Sequence, residues 1–272
     1  MKLVYLRLAP LVFAAAMLAG CSTVPVTGRS QFNFISQDQE LQLGLTSFNE
    51  LKKEVPVSKD PAVNALLQKV GKKIAAVASP DMPNAQWEFV VFESKEANAF
   101  CLPGGKVGVY TGILPITKDE AGLATVIGHE VAHAVARHGG ERMTQAMALQ
   151  AGGQIAGALT SSAAPITQQA VSLVYGLGSQ LGYVLPHSRK QESEADRIGL
   201  TYMARAGYDP NAAISFWERF SAQSGNAGGP WFLRTHPVDA VRIADLKKWL
   251  PEAMQEYHGK GTGARSSDII GR

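Results

Sequence analysis

Charged side chains are missing from a long central stretch: no Asp, Glu, Lys or Arg lies between Arg142 and Arg189. Ala, Gly, Gln, Ser and Thr dominate there, and Gly152-Gly153, Gly157 and Ser161 to Pro165 interrupt it, so no clean membrane span emerges. Two readings stay open for residues 143–187. They form Ala-rich helices folded over a site, or an apolar surface lying against a bilayer; the interspersed small and polar residues favour the first. Lys/Arg-rich runs are lacking as well, which leaves nucleic-acid binding without support. Cysteine is scarce, with Cys21 and Cys101 alone in 272 residues. What remains, 46% hydrophobic and 18% charged, can bury a substantial core. One globular domain with an export segment fits best, with two small domains as the alternative.

The export segment is residues 1–20. Lys2 and Arg7 form a basic start, and Leu8 to Ala19 is apolar apart from Pro10, too short to span comfortably. Without these residues the formal charge of +3 falls to +1, 24 basic against 23 acidic. The stretch ends at Leu18-Ala19-Gly20-Cys21, which resembles the bacterial lipobox. That resemblance implies cleavage before Cys21, acylation of its thiol and new amino terminus, and firm membrane anchoring. Ser22 follows rather than the aspartate that typically retains such lipoproteins in the inner membrane, so the outer membrane, facing the periplasm, is implied. Lipidation of Cys21 leaves Cys101 as the only thiol, which rules out an intramolecular disulfide. Cys101 then reads as a buried small hydrophobe.

Residues 21–36 read as a tether, because Thr23-Val24-Pro25-Val26-Thr27-Gly28 has turn formers and no helical period. A helix follows, with Ser36-Gln37-Asp38-Gln39 as capping box. A second opens at Asp60-Pro61, where aspartate caps and proline suits the first turn. Trp87 to Phe92, Asn98 to Leu102 and Val107 to Thr111 predict a small antiparallel sheet. Its edge either takes an extended peptide as one more strand or only covers the next helix. Thr117 to Glu120 reads as a second capping box, opening a helix that Gly139-Gly140 stops. Further helices are expected from Ser188 to Gly207, from Asp209-Pro210, and from near Pro237, with a mobile tail over 258–272.

The helix opened at Thr117 carries His129-Glu130-Val131-Ala132-His133, two of the chain's six histidines. Four positions apart on a helix, both imidazoles share one face and can reach one metal ion, while Glu130 points aside. His138, five past His133, falls about 140° further round, which makes it a dipole-stabilised C-terminal residue rather than a ligand. A catalytic zinc site needs a third protein ligand. Glu192 and Asp196 share a helix face at a spacing where like charges repel, unless a cation is near or Arg189 and Arg197 neutralise them. Glu194 points elsewhere and reads as a solvated acid.

His129-Glu130-Val131-Ala132-His133 followed by Glu192-Ser193-Glu194-Ala195-Asp196 resembles the HtpX-type and CAAX-prenyl-protease-type zinc metallopeptidases, within them the periplasmic lipoprotein branch of BepA- and LoiP-like proteins. Asn98-Ala99-Phe100-Cys101-Leu102-Pro103-Gly104-Gly105 and Arg234-Thr235-His236-Pro237 agree, and the likeness covers roughly residues 35 to 250. Spanning helices and a repeat-helix extension are lacking, and Cys101 stands where small residues are usual. The resemblance implies an α+β, mostly helical zincin domain of gluzincin type over 37–257, with a small antiparallel sheet beside the H-E-x-x-H helix. It implies one zinc ion held by His129, His133 and Glu192, with Asp196 accepting a hydrogen bond from a ligand histidine. Glu130 would be the general base, and His236 would stabilise the oxyanion or gate the open position, unless it only caps the Pro237 helix. Asn98 and Ala99 would belong to the strand that pairs with substrate backbone. The function implied is a metalloendopeptidase on the periplasmic face of the outer membrane, degrading damaged or misassembled envelope proteins. A chaperone or assembly factor with little proteolysis is the rival, and a non-peptide zinc hydrolase a third reading.

Overall fold

The computed structural model describes residues 21–147, 188–222, 232 and 235–269, with side chains up to Tyr257. The expected signal peptide and most of the uncharged stretch lie outside these residues. Two strands, β1 (Cys21–Thr23) and β2 (Ser30–Phe32), pair antiparallel. Helix α1 (Gln37–Glu54) starts at Ser36, whose Oγ accepts from the Gln39 amide while Gln39 Oε1 accepts from the Ser36 amide. Helix α2 (Pro61–Ala78) is capped by Asp60 Oδ1, which accepts from the Ala62 and Val63 amides. Both starts are as the sequence predicts.

The sheet that follows contains β3 (Glu88–Phe92), β4 (Ala99–Leu102) and β5 (Lys106–Tyr110) in the order β3-β5-β4. Only β4 and β5 run antiparallel; β3 is parallel to β5. The expected all-antiparallel sheet is corrected for a topological reason. The chain runs up, down and up again, and placing β5 in the centre puts the two up strands side by side. Alternation along the strands divides the apolar residues between two faces. Phe92, Phe100, Leu102 and Tyr110 pack on Phe48 and Leu51 of α1. Val91, Cys101, Val107 and Val109 join the main core.

That core is organised around helix α3 (Glu120–Val135), which is buried on nearly every side. Its N-cap is Asp119, whose Oδ1 accepts from the Gly122 amide at 2.8 Å, and not the expected Thr117. Thr117 ends a separate helical turn (Leu114–Thr117), and Lys118, at φ 66°, breaks the chain between the two. Helix α4 spans 138–147, α5 Arg189–Arg205, α6 Asn211–Ser221 and α7 Ala240–Ile269. Ser188 caps α5 with a capping box to Gln191. Helices α3 and α5 cross closely because Gly199 has no side chain: a Cβ there would sit 3.1 Å from the His129 amide nitrogen.

Three boundaries differ from expectation. The supposed tether 21–36 is the β1–β2 hairpin, with Val24, Gln31 and Asn33 buried; its turn formers make a hairpin turn, with Val26 and Gly28 left-handed. The α3–α4 break is Arg137, at φ 54°, not Gly139-Gly140. Gly140 lies inside α4, where a Cβ would collide with Glu40 Oε1, so its smallness serves packing. Finally, α7 continues past Tyr257 to Ile269. Glycines 259, 261 and 263 do not end it, since a helical glycine costs only about 1 kcal/mol.

Candidate metal centre

Helix α3 turns His129 and His133 to one side, with their Nε2 atoms 3.0 Å apart. The first turn of α5 brings Glu192 against them: Oε2 is 3.5 Å from His129 Nε2, and Oε1 is 3.3 Å from His133 Nε2. The segment ahead of α7 adds His236, whose Nδ1 is 3.4 Å from His129 Nε2 and 2.9 Å from Glu192 Oε1. All four side chains are buried, with one donor atom from each lying within 4.8 Å of the others. Trp217 and Phe232 wall the cluster, with ring centres 5.2 Å from His129 and 4.3 Å from His236.

These donors fit zinc. Bonds of roughly 2.0–2.1 Å in a tetrahedron put ligand atoms about 3.3 Å apart, and imidazole nitrogen with carboxylate oxygen is the donor set of catalytic zinc. Charge agrees. Glu192, Asp196 and Glu130 carry three negative charges when ionised, and the Arg242 guanidinium that contacts the first two returns one. A divalent cation among the donors offsets the remainder. Burial alone would lower the pKa of His129, but Asp196 and Glu192 outweigh it and lift it to about 9. The same field that favours a proton there favours a metal cation in its place.

Glu130 leaves the donor cluster and stands beside it, with Oε1 3.5 Å from His236 Nε2. Burial pushes its carboxyl above the ordinary value, against the opposing pull of His236 and His129. Asp196 Oδ1 lies 3.0 Å from His129 Nδ1, where the expected ligand contact belongs. Asn98 and Ala99 lie at the start of β4, an edge strand packed beside α3. The outward amide of Ala99 donates to Asn98 Oδ1 at 2.9 Å, and the outward carbonyl of Ala97 accepts from the Phe232 amide at 3.2 Å. The outward Ala99 amide and Ala97 carbonyl are therefore engaged, while the Asn98 carbonyl accepts from the Tyr110 amide of β5 at 2.9 Å.

Arg242 has no counterpart in the sequence reading. It binds Asp196 through two nitrogens at 2.8 Å each, meets Glu192 Oε2 at 2.6 Å and stacks 4.2 Å over Trp217. Arg189 and Arg197, the neutralising candidates, pair with Asp239 and Glu252 instead. His138 and Glu194 also differ from expectation. The left-handed Arg137, held by Glu40 and the Ile35 carbonyl, swings the chain so that His138 returns beneath His133 instead of continuing round a helix. Its Nδ1 is 2.8 Å from His133 Nδ1, and its Nε2 is 3.0 Å from Glu194 Oε2. Glu194 is not a solvated acid but buried. It accepts from Thr27 Oγ1 and from Arg29 Nε in the N-terminal hairpin. The signal available was spacing: Glu194 faces away from Glu192, and a helix buried all round needs a partner on that side too.

Burial would raise the Glu194 carboxyl, but His138, Thr27 and Arg29 overcome it and hold it down at about 2, against an ordinary 4.5. A depressed carboxylate stabilises the fold above its unfolded pKa and loses that contribution as pH falls through the folded value. The stability difference between the unaltered chain and Glu194→Gln should therefore shrink by roughly 1–3 kcal/mol between pH 6 and pH 2, read by urea unfolding. A difference independent of pH would contradict the pairing.

Residues 61–250 match the family model described as peptidase family M48. The chain is 38% identical over 234 residues to the mitochondrial metalloendopeptidase OMA1 of Schizosaccharomyces pombe, covering 85% of this chain and 66% of the relative. It is 33% identical over 273 residues to that of Saccharomyces cerevisiae, covering 90% and 76%. To the beta-barrel assembly-enhancing protease of Escherichia coli it is 28% identical over 238 residues, covering 86% and 48%. The chain thus spans from about half to about three quarters of the length of these relatives. The metallopeptidase reading of the sequence, with its zinc and its mostly helical domain, is borne out.

Proposed function

The chain belongs to peptidase family M48, and on that premise we propose that it is a zinc endopeptidase at the periplasmic face of a bacterial outer membrane. The observation that carries the reading is the buried convergence of His129, His133, Glu192 and His236 with Glu130 alongside. His129, His133 and Glu192 are the ligands in this reading, and Asp196, braced by Arg242, holds the His129 ring. Zinc held there would supply Lewis acidity to acidify a water and polarise the scissile carbonyl. Glu130 takes the proton of the attacking water and passes it to the leaving amine, a task suited to a carboxyl raised by burial. His236 fills the fourth donor place, so it acts as a gate. Turned aside, it admits water and its imidazole can donate to the developing oxyanion. The outer edge of the strand that carries Asn98 and Ala99 receives the substrate backbone once its present partners release it.

Two features support the envelope location. Leu18-Ala19-Gly20-Cys21 resembles the bacterial lipobox, with Cys21 as the lipidated residue. Relatives named beta-barrel assembly-enhancing proteases come from bacteria. Relatives named mitochondrial match over the same region, but Leu18-Ala19-Gly20-Cys21 of this chain favours the bacterial envelope. Damaged or misassembled envelope proteins are the substrates in this reading, with 1–20 removed and the peptidase domain beginning at the β1–β2 hairpin. The assembly half of the bacterial relatives' name favours a second reading, a chaperone that seldom cleaves.

The purified chain should carry one zinc, and His133→Ala should lose it by elemental analysis; unchanged zinc content would remove His133 from the ligand set. Incubation with an unfolded outer-membrane β-barrel protein should yield internal fragments, mapped by mass spectrometry and abolished by a chelator. Recovery of folded, uncut barrel instead would favour the chaperone.

A further inference from the structure

His133 is the ligand with the most elaborate support, and that support leads out of the metal centre into the N-terminal hairpin. Glu194 accepts from three donors: Thr27 Oγ1, Arg29 Nε at 2.7 Å and His138 Nε2 at 3.0 Å. An ionised carboxylate has no proton to give, so His138 must donate through Nε2. A neutral imidazole donating from Nε2 has its lone pair on Nδ1, and that atom lies 2.8 Å from His133 Nδ1. His133 must therefore carry its own proton on Nδ1. Its lone pair then sits on Nε2, the atom that faces His129 Nε2 and Glu192 Oε1. One chain of hydrogen bonds fixes the tautomer and the ring orientation that metal binding requires.

The far end of this chain is braced in turn. Arg29 also binds Glu141 of α4 through two nitrogens at 2.9 and 3.1 Å, and Glu141 Oε2 accepts from Gln191 of α5 at 2.9 Å. Hairpin, α4 and α5 are thus tied together directly behind His133. We propose that His138 and Glu194, anchored by Thr27 and Arg29, position the zinc ligand His133, so that the N-terminal hairpin is a working part of the metal centre. The inference rests on the reading of His133 as a ligand. His138 and Glu194 are positioning residues and touch neither metal nor substrate.

The test measures zinc affinity of the full chain by competition with a chromogenic chelator, together with the visible spectrum of the cobalt-substituted protein. His138→Phe keeps the ring and removes both nitrogens; Glu194→Gln removes the negative charge; Thr27→Val with Arg29→Met cuts the hairpin's hold. His138→Phe and Glu194→Gln should each weaken zinc binding roughly 10- to 100-fold, and the hairpin variant should shift the same way. The cobalt bands should move in all three. Zinc affinity and cobalt spectrum equal to those of the unaltered chain, with only the melting temperature of the metal-free protein lowered, would overturn the proposal and leave a structural staple. Should His138→Phe not fold, Glu194→Gln and the hairpin variant decide by the same readouts. An unaltered chain that binds no zinc would remove the ligand reading first, and this inference with it.

Discussion

Glu130→Gln should keep its zinc and lose peptide hydrolysis, with kcat/KM lower by about 10²- to 10⁴-fold, the usual contribution of general acid–base catalysis. The geometry separates the two effects. Glu130 stands outside the four-donor cluster, so glutamine of the same shape should leave the ligands where they are. Yet its Oε1 lies 3.5 Å from His236 Nε2, beside the donor place that water must reach. Its burial raises the carboxyl pKa, bringing its basicity nearer to that of a water acidified by zinc. Elemental analysis and turnover of a quenched-fluorescence peptide check both halves. Full turnover in the variant would end the base assignment, and loss of zinc would make Glu130 a ligand.

Arg242→Leu should destabilise the metal-free chain by about 3–5 kcal/mol, the cost of leaving a buried ion pair without one partner. Here two partners are stranded, because the guanidinium faces Asp196 and Glu192 together, both buried. Its stack on Trp217 would be lost as well. Zinc should recover part of the loss, since a cation bound as proposed would contact Glu192 and would lie near Asp196, which is 3.0 Å from His129 Nδ1. Urea unfolding with chelator and with zinc measures the two cases. A variant as stable as the unaltered chain without metal would mean that another cation balances these carboxylates.

The parts legible in the sequence are those that local chemistry dictates. Ser36, Asp60 and Ser188 announce helix starts because their side chains satisfy amides two or three residues on. His129 and His133 announce a metal face through helical spacing, and Glu192 with Asp196 announces a need for positive charge. What supplies that charge was illegible: Arg242 lies 46 residues from Asp196, with no local sign of burial. His138 was hidden by one backbone angle, the left-handed Arg137, which no spacing rule anticipates. The hairpin was hidden for a related reason. Its strands are three residues long, and much of what holds it is Glu194, 165 residues beyond Arg29.

On the proposed lipid anchor, that hairpin would also set how far the enzyme can reach. A sixteen-residue leash between lipid and domain would extend to roughly 50 Å and let the catalytic face sweep a wide volume of periplasm. Here β1 begins at Cys21 itself, and the chain is committed to the folded body from its first described residue. Were Cys21 acylated as proposed, the body would have almost no slack. The cleft would then work at a nearly fixed height above the lipid and survey only what passes within that layer. Cleavage would be filtered by position before any recognition of sequence, favouring chains stalled at the membrane surface over proteins diffusing freely above it.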